Sequence, residues 1–215
     1  EYTIQKMLRG GKETTVGRDV TVGEVMEDVL KDVPYYRRSG GGVTLSGGET
    51  MCQPDFALAL LGACKEYGLN TAIETTACVP AETVRRFLPV CDCFLMDIKH
   101  MNSEKHKEFT TQPNELILSN AEILAKEARE LVVRVPVIPT FNDTPEEISA
   151  IASFAKSLGS VRQMHRLPYH RLGYDKYIGL GREYTMGDVA SPTKEHMERL
   201  RKAAAESGLE IIIGG

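Results

Sequence analysis

The chain has 215 residues, of which 42% are hydrophobic and 26% are charged, as expected for one globular domain with a sizeable core. The net charge of −4 argues against a nucleic-acid-binding surface or a basic membrane patch. No apolar run approaches the roughly 20 residues that a membrane-spanning helix needs. The five cysteines are an odd number, so we expect reduced thiols in a cytoplasmic protein rather than a disulfide framework.

The first predicted helix begins after Thr21, because Glu24 follows three residues later with the spacing of a capping box. Residues 43–46 (VTLS) form the next predicted strand. A second helix opens with Pro54 in its first turn, and Gly68 is a plausible stop.

The rest of the chain continues to alternate between strands and helices. The further predicted strands are rich in Val, Ile and Leu and comprise residues 71–76, 93–99, 131–138, 162–169 and 209–213. The further predicted helices begin near residues 80, 114, 145 and 194. Strands of this composition are buried on both faces, which predicts an α/β fold with a parallel sheet. The pattern alone fits both a barrel and an open doubly wound sheet.

Polar, charged and glycine residues follow the predicted strands where each strand ends. In chain order they are Ser46, Gly47, Gly48 and Glu49, then Glu74 and Thr75, then Asp97 and Lys99, then Arg134 within its strand, and finally His170. Each has an ordinary structural explanation, such as a turn, a helix cap or a solvated side chain. Their coincidence at one edge of a parallel sheet favours a binding site instead.

The charges at this edge fit a zwitterionic ligand. Glu49, Glu74 and Asp97 provide negative charge for an ammonium group, whereas Lys99 and Arg134 provide positive charge for a carboxylate. Arg134 interrupts an apolar strand, and a buried guanidinium needs an acidic partner. The paired glycines would let a ligand approach the backbone, and the histidine could stack on or hydrogen-bond to a flat ring.

Five motifs occur in a recognisable order: SGGGVTLSGGE, ETT, MDIKHMN, RVPVIP with FND, and LPYHRLGYDKY. As an ordered set they resemble the activating enzymes of glycyl radical enzymes, which include pyruvate formate-lyase activase and belong to the radical S-adenosylmethionine (SAM) superfamily. The resemblance extends from about Thr21 to the last predicted helix.

The resemblance implies a single partial (β/α)6 TIM-like barrel domain spanning residues 1–215. It implies two cofactors, SAM and a [4Fe–4S] cluster, bound at the carboxyl ends of the strands. It also implies two protein partners: a glycyl radical enzyme that receives the radical on a glycine, and an electron donor such as flavodoxin or ferredoxin. In that family the cofactors carry the chemistry, so no side chain is assigned a catalytic role.

Individual residues take roles from the resemblance position by position. The motif that holds the SAM amino group is matched by Gly47, Gly48 and Glu49, after Ser46. Contacts to the SAM carboxylate or ribose are matched by Lys99 and Arg134, and a residue near the adenosine is matched by His170. A monovalent cation site found in some members is matched by Glu74, Thr75 and Asp97.

The sequence departs from the family in its cysteines. The CxxxCxxC loop that binds the cluster is absent, and Cys91 and Cys93 are expected to be small core residues. Because the chain begins at Glu1, we expect it to follow the cluster loop and any ferredoxin-like insert, to lack the first strand, and to be inactive alone with weakened SAM affinity. Ala77 and Thr111 stand where the family often has glycine, and at Ala77 this raises the question whether the turn needs positive φ.

Two other functions remain open at this stage. Lys99 could be the Schiff-base nucleophile of an aldolase-like barrel, which borohydride trapping would reveal. Alternatively, the protein could be a non-catalytic relative that binds SAM or a partner. Residues 170–184, rich in Tyr, Arg and Gly, could contact a partner or form a solvated loop.

Overall fold

The computed structural model describes residues 5–9, 12–184 and 186–214, with side chains from residue 17 onwards except residue 172. Its strands are β1 (Gln5–Arg9), β2 (Lys12–Val16), β3 (Gly42–Leu45), β4 (Asn70–Thr75), β5 (Cys93–Asp97), β6 (Glu130–Val137), β7 (Gln163–Pro168) and β8 (Glu210–Ile213). β1 and β2 form an antiparallel hairpin that the sequence did not predict. The other six match the six predicted strands.

Those six strands form one parallel sheet whose order follows the sequence from β3 to β8. A doubly wound sheet would reverse its strand order at a switch point, so the sequential order selects the barrel-type winding. Within the described residues, β3 and β8 each pair on one side only. The sheet is therefore open, and the prediction of an α/β partial barrel is confirmed.

Helices alternate with these strands along the chain. They are α1 (Val22–Lys31), α2 (Val33–Ser39), α3 (Pro54–Glu66), α4 (Ala81–Phe87), α5 (Ser103–Thr110), α6 (Glu115–Glu127), α7 (Pro145–Ser157), α8 (Tyr174–Gly179) and α9 (Lys194–Ala205). Three of them, α2, α5 and α8, were not predicted. They are short and lie in segments rich in polar residues, where hydrophobic periodicity is weak.

The predicted capping box starts α1. Thr21 Oγ1 accepts a hydrogen bond from the Glu24 backbone N–H at 3.2 Å, and the Glu24 carboxylate accepts one from the Thr21 N–H at 2.7 Å. α1 then buries Met26 against Leu60 and Cys64 of α3, in a small core separate from the main one. The cap thus fixes the residue at which α1 begins.

The main core lies between the sheet and its helices. Alternate strand residues are fully buried there, among them Ile73, Phe94, Met96 and Val133. The intervening residues point to the opposite face of the sheet and are only half-buried. This opposite face carries the charged residues that the strands contribute to the carboxyl edge.

Arg134 links three adjacent strands on that face. It lies beside Asp97 in the β5–β6 register, and its Nε donates to Asp97 Oδ1 at 2.9 Å. Its Nη1 lies 2.6 Å from Glu74 Oε1 on β4. The other oxygen of Glu74 accepts from Ser46 Oγ at 2.5 Å, just beyond β3. The acidic partner that the sequence required for Arg134 is therefore present twice.

These contacts outweigh the cost of burying the charges. Burial raises the pKa of Glu74, but the hydrogen bonds from Arg134 and Ser46 prevail, and the pKa of this carboxyl is lowered from its ordinary value. Burial likewise lowers the pKa of Arg134, but Glu74 and Asp97 prevail and raise it. Both groups are therefore charged at neutral pH and depend on each other.

We expect Arg134→Met to destabilise the protein by about 3 kcal/mol at pH 7, because it leaves two partly buried carboxylates without their cation. In the parent, the lowered pKa of Glu74 contributes stability above its unfolded pKa of about 4.3, and this stability is lost as pH falls through the folded pKa. In the variant, the hydrogen bond from Ser46 remains but the contacts of Arg134 are lost, so the pKa of Glu74 rises relative to the parent. The difference in unfolding free energy between the two proteins should therefore shrink as pH falls from 7 to 4.

Urea unfolding measures this difference. Circular dichroism at 222 nm is the suitable signal, because the chain has no tryptophan fluorescence to follow. Arg86→Met is the matched control, because Arg86 pairs with Asp55 through side chains that are 49% and 88% exposed. Its cost should stay below about 1 kcal/mol at every pH. Equal losses for the two variants, or a pH-independent loss for Arg134→Met, would contradict the account.

Candidate functional site

A cavity of about 310 Å³ opens at the carboxyl edge of the sheet. It is lined by residues at or just beyond the ends of β3, β4 and β5 and within β6, namely Gly47, Gly48, Glu49, Glu74, Thr75, Thr76, Asp97, Lys99 and Arg134. The sequence predicted a binding role for eight of these nine, and Thr76 is the addition. The parallel sheet thus brings together groups that lie far apart in the chain.

Two predicted site residues lie outside the cavity lining. Ser46 is exposed and contacts the site indirectly, through its hydrogen bond to Glu74. His170 is exposed two residues beyond the end of β7. Its role beside a flat ring stays a prediction.

The paired glycines form the turn that leads from β3 into the site. Gly47 has φ 129°, a backbone conformation that side-chain-bearing residues rarely adopt. At Gly48 an added Cβ would meet no protein atom within 4 Å. Packing within the protein therefore does not account for the second glycine, whereas an open cavity wall does.

Glu49 is held by four hydrogen bonds. Its Oε1 accepts from Thr75 Oγ1 at 2.6 Å and from the Met51 N–H at 3.1 Å. Its Oε2 accepts from the Thr76 N–H at 2.8 Å and from Thr76 Oγ1 at 2.7 Å. We call these donors of Thr75, Thr76 and Met51 the Glu49 cradle. A carboxylate offers about four lone-pair positions, so the cradle fixes both its location and its orientation.

The sequence analysis did not assign a role to Thr76. Its position directly after Glu74 and Thr75 at a strand end was a usable signal, since such residues meet at the same edge as the other candidates. The next residue, Ala77, has φ 52°, and Thr111 has φ 67°. The turn at Ala77 does have positive φ, which answers the question raised by its departure from glycine. The turn at Thr111 has positive φ as well.

Cations occupy the other side of the cavity. Lys99 Nζ lies 3.5 Å from Asp97 Oδ2, a loose contact that leaves its N–H groups available. Asn142 is fully buried and holds the segment, donating through Nδ2 to the carbonyl oxygens of Lys99 at 2.7 Å and Pro136 at 2.8 Å. Negative and positive groups are therefore fixed on separate parts of one cavity wall.

The proposed monovalent cation site has protein partners throughout. Glu74 and Asp97 both contact the guanidinium of Arg134, and the hydroxyl of Thr75 donates to Glu49. Among the described residues, no group of three or more His, Cys, Asp or Glu side chains is arranged to hold a metal ion. The positive charge between the two carboxylates is thus an arginine, and a further cation there stays a prediction.

The cysteines do not fit a [4Fe–4S] cluster, whose ligands are thiolates brought together in space. Cys64 and Cys91 are buried in the core, and Cys52 is exposed. Burial raises the pKa of Cys91 to about 12 and that of Cys93 to about 12, so both are neutral thiols at pH 7. Cys91 lies in the main core, as predicted, whereas Cys93 is only half-buried and is not part of that core.

No helix among the described residues is both long and apolar enough to cross a membrane.

Comparison with known sequences gives the family. The profile of the radical SAM superfamily matches residues 10–155. The chain is 47% identical to the isethionate sulfite-lyase activating enzyme of Desulfovibrio desulfuricans, covering 88% of the chain and 61% of that protein. It is 42% identical to the 4-hydroxyphenylacetate decarboxylase activating enzyme of Clostridioides difficile, covering 90% and 61%. It is 38% identical to the (2S)-3-sulfopropanediol dehydratase activating enzyme of Klebsiella oxytoca, covering 92% and 64%.

The chain therefore spans about three fifths of the length of these relatives. Among solved structures, it resembles a domain of the pyruvate-formate lyase-activating enzyme of Bacteroides vulgatus, with a TM-score of 0.68 and 31% identity, covering 81% of this chain and 99% of that domain. It shares its fold with SuiB of Streptococcus suis bound to SAM, with a TM-score of 0.68 and 16% identity over 93% of this chain and 45% of SuiB. The sequence profile and the solved domain agree: the chain belongs to the radical SAM superfamily.

Proposed function

We propose that the cavity binds the amino-acid end of SAM and that this chain is the SAM-binding part of an activating enzyme for a glycyl radical enzyme. The observation that carries the proposal is the arrangement of fixed charges. An anionic group in a rigid cradle lies on the same cavity wall as two cations, and a free amino acid group has the complementary pair of charges.

The ammonium group would approach Glu49. All lone-pair positions of this carboxylate are occupied in the structure, but one of the donors is the hydroxyl of Thr76, which can rotate. The threonine hydroxyl can therefore give up its hydrogen bond to Glu49, and an ammonium N–H of the ligand can donate to the carboxylate in its place. The two backbone donors, from Met51 and Thr76, would keep the carboxylate in place during the exchange.

The carboxylate group of SAM would lie against Lys99 and Arg134. Lys99 is only loosely paired with Asp97, so it can turn its N–H groups to a new acceptor. Arg134 uses Nε and Nη1 for its two acidic partners, and a guanidinium has further N–H donors beyond these. The exposed His170 is available to stack on the adenine ring, in keeping with its position after β7.

The cofactor chemistry needs groups outside this chain. When bound, SAM supplies the carbon-centred radical of the family's reactions, whereas the residues described here bind and orient it. The cysteines of this chain do not fit the [4Fe–4S] cluster. We infer that other parts of the protein hold the cluster and that an electron donor such as flavodoxin or ferredoxin serves it in the cytoplasm.

For the partner enzyme we propose a class of protein rather than an individual enzyme. The relatives named above activate a sulfite-lyase, a decarboxylase and a dehydratase, and the chain is 38–47% identical to all three. Their shared feature is the activation of a partner enzyme, which supports a glycyl radical enzyme as the protein substrate here.

We expect the isolated chain to bind S-adenosylhomocysteine, which retains the amino-acid end of SAM. Glu49→Gln and Lys99→Met should each weaken this binding about tenfold, because each removes one charge-assisted contact. Isothermal titration calorimetry measures the affinities. Lys105→Met is the matched control for the lysine, since Lys105 is exposed on α5 and lies outside the cavity lining.

The control should leave affinity unchanged. Failure of the parent chain to bind, or an equal effect of the two lysine substitutions, would count against the site.

The activase function is tested with the full product of the gene that encodes this chain, reconstituted anaerobically with iron and sulfide. With SAM and a reductant it should form a glycyl radical on a glycyl radical enzyme from the same organism, seen as an electron paramagnetic resonance doublet. Glu49→Gln should reduce the radical yield per unit time by at least about tenfold at limiting SAM. SAM binding without any radical on such a partner would favour the non-catalytic alternative.

A further inference from the structure

A buried asparagine contacts the turn that carries the Glu49 cradle. Asn120 lies on α6 and is 0% exposed. Its Nδ2 donates to the carbonyl oxygen of Ala77 at 2.7 Å and to that of Val79 at 2.8 Å. Both amide protons are thus used on the segment that follows β4, more than 40 residues earlier in the chain.

Burial alone does not explain an asparagine at this position. The buried face of α6 is otherwise apolar, with Ile117, Ala121 and Leu124. Among the described residues, the Oδ1 atom of Asn120 has no hydrogen-bond partner although it is buried. An unpaired buried oxygen is unfavourable, so a leucine would suit the core better. What the asparagine adds is the pair of donors for the turn.

The turn needs such support. Ala77 is completely buried at φ 52°, a left-handed backbone conformation that is unfavourable for a residue with a Cβ. The carbonyl oxygens on either side of this strained stretch would be buried without donors if Asn120 were apolar. Asn120 therefore stabilises the one backbone conformation in which Ala77 is seen.

That conformation sets the direction of a hydroxyl proton. The Ala77 N–H donates to Thr75 Oγ1 at 2.8 Å, so the hydroxyl oxygen is the acceptor there. The single proton of the Thr75 hydroxyl is then directed to Glu49 Oε1, at 2.6 Å. A continuous series of contacts thus leads from Asn120 through Ala77 and Thr75 to the carboxylate.

We propose that Asn120 is a positioning residue for Glu49, which rests on the role in ligand binding proposed for Glu49 above. It touches neither the cavity nor a ligand. It holds the turn from behind, so that the cradle presents the carboxylate in one orientation.

The test combines Asn120→Leu, which keeps a similar size but removes both donors, with Glu49→Gln. Asn120→Leu should weaken S-adenosylhomocysteine binding about tenfold. It should leave 5′-methylthioadenosine, which lacks the amino and carboxyl groups, unaffected. In a Glu49→Gln background the substitution should have no further effect on affinity, because both changes remove the same contact.

Asn114→Leu is the matched control. Asn114 is also buried and donates through Nδ2 to two backbone carbonyl oxygens, those of His100 at 2.8 Å and Met101 at 2.9 Å, in the segment after β5. Any effect of this control on affinity should add to that of Glu49→Gln. Additive effects of Asn120→Leu and Glu49→Gln, or an equal loss of 5′-methylthioadenosine affinity, would overturn the proposal.

A measurement without ligand covers the case in which Asn120→Leu does not fold or the parent does not bind. In Asn120→Ser, hydrogen exchange of the Thr76 amide, which donates to Glu49 Oε2, should be at least about tenfold faster than in the parent. Exchange of the Lys105 amide on α5 should be unchanged. Unchanged exchange at Thr76 would overturn the positioning role itself, whereas faster exchange in a chain that binds no ligand would leave that role standing and reject the binding site.

Discussion

The guanidinium of Arg134, held between Glu74 and Asp97, is the interaction on which the site depends. A buried charge must be compensated, and two carboxylates from neighbouring strands do so at 2.6 and 2.9 Å. In return, Arg134 helps to lower the pKa of Glu74 and holds the carboxylate of Asp97 in place at the open edge of the sheet. The sequential order of β4, β5 and β6 makes this possible, because it places the three side chains on one face of neighbouring strands. Asp97 is level with Arg134, and Glu74 is level with Leu95, two residues nearer the amino end of β5.

Glu49, in the same cavity lining, is constrained by different means. Among the described residues it has no ion-pair partner, and it accepts hydrogen bonds from the hydroxyls of Thr75 and Thr76 and from the backbone N–H groups of Met51 and Thr76. An incoming ammonium group could therefore approach this carboxylate without displacing a cation. The cavity therefore contains one carboxylate, Glu49, without a counter-ion among the described residues. It also contains two cations that keep further N–H donors, although Glu74 and Asp97 balance their charge. This combination fits a zwitterionic ligand better than a simple anion or cation.

Features that depend on local sequence could be predicted, whereas those that depend on distant contacts could not. The six strands followed from Val-, Ile- and Leu-rich runs, and the acidic partners of Arg134 followed from its place in an apolar strand. The paired strands β1 and β2 and the short helix α5 lack such patterns. Thr76 and Asn120 gain their roles from hydrogen bonds to residues 27 and 43 positions away, which no spacing rule reports. His170 was placed after the correct strand, but the sequence could not show that it lies outside the cavity lining.

The most direct measurement of the central claim is a crystal structure of the chain with S-adenosylhomocysteine. The account predicts an amino nitrogen within about 3 Å of Glu49 and the ligand carboxylate beside Lys99 and Arg134, with the contacts of Arg134 to Glu74 and Asp97 retained. A ligand bound in the reverse orientation, with its carboxylate towards Glu49, or bound away from the ends of β3 to β6, would contradict it.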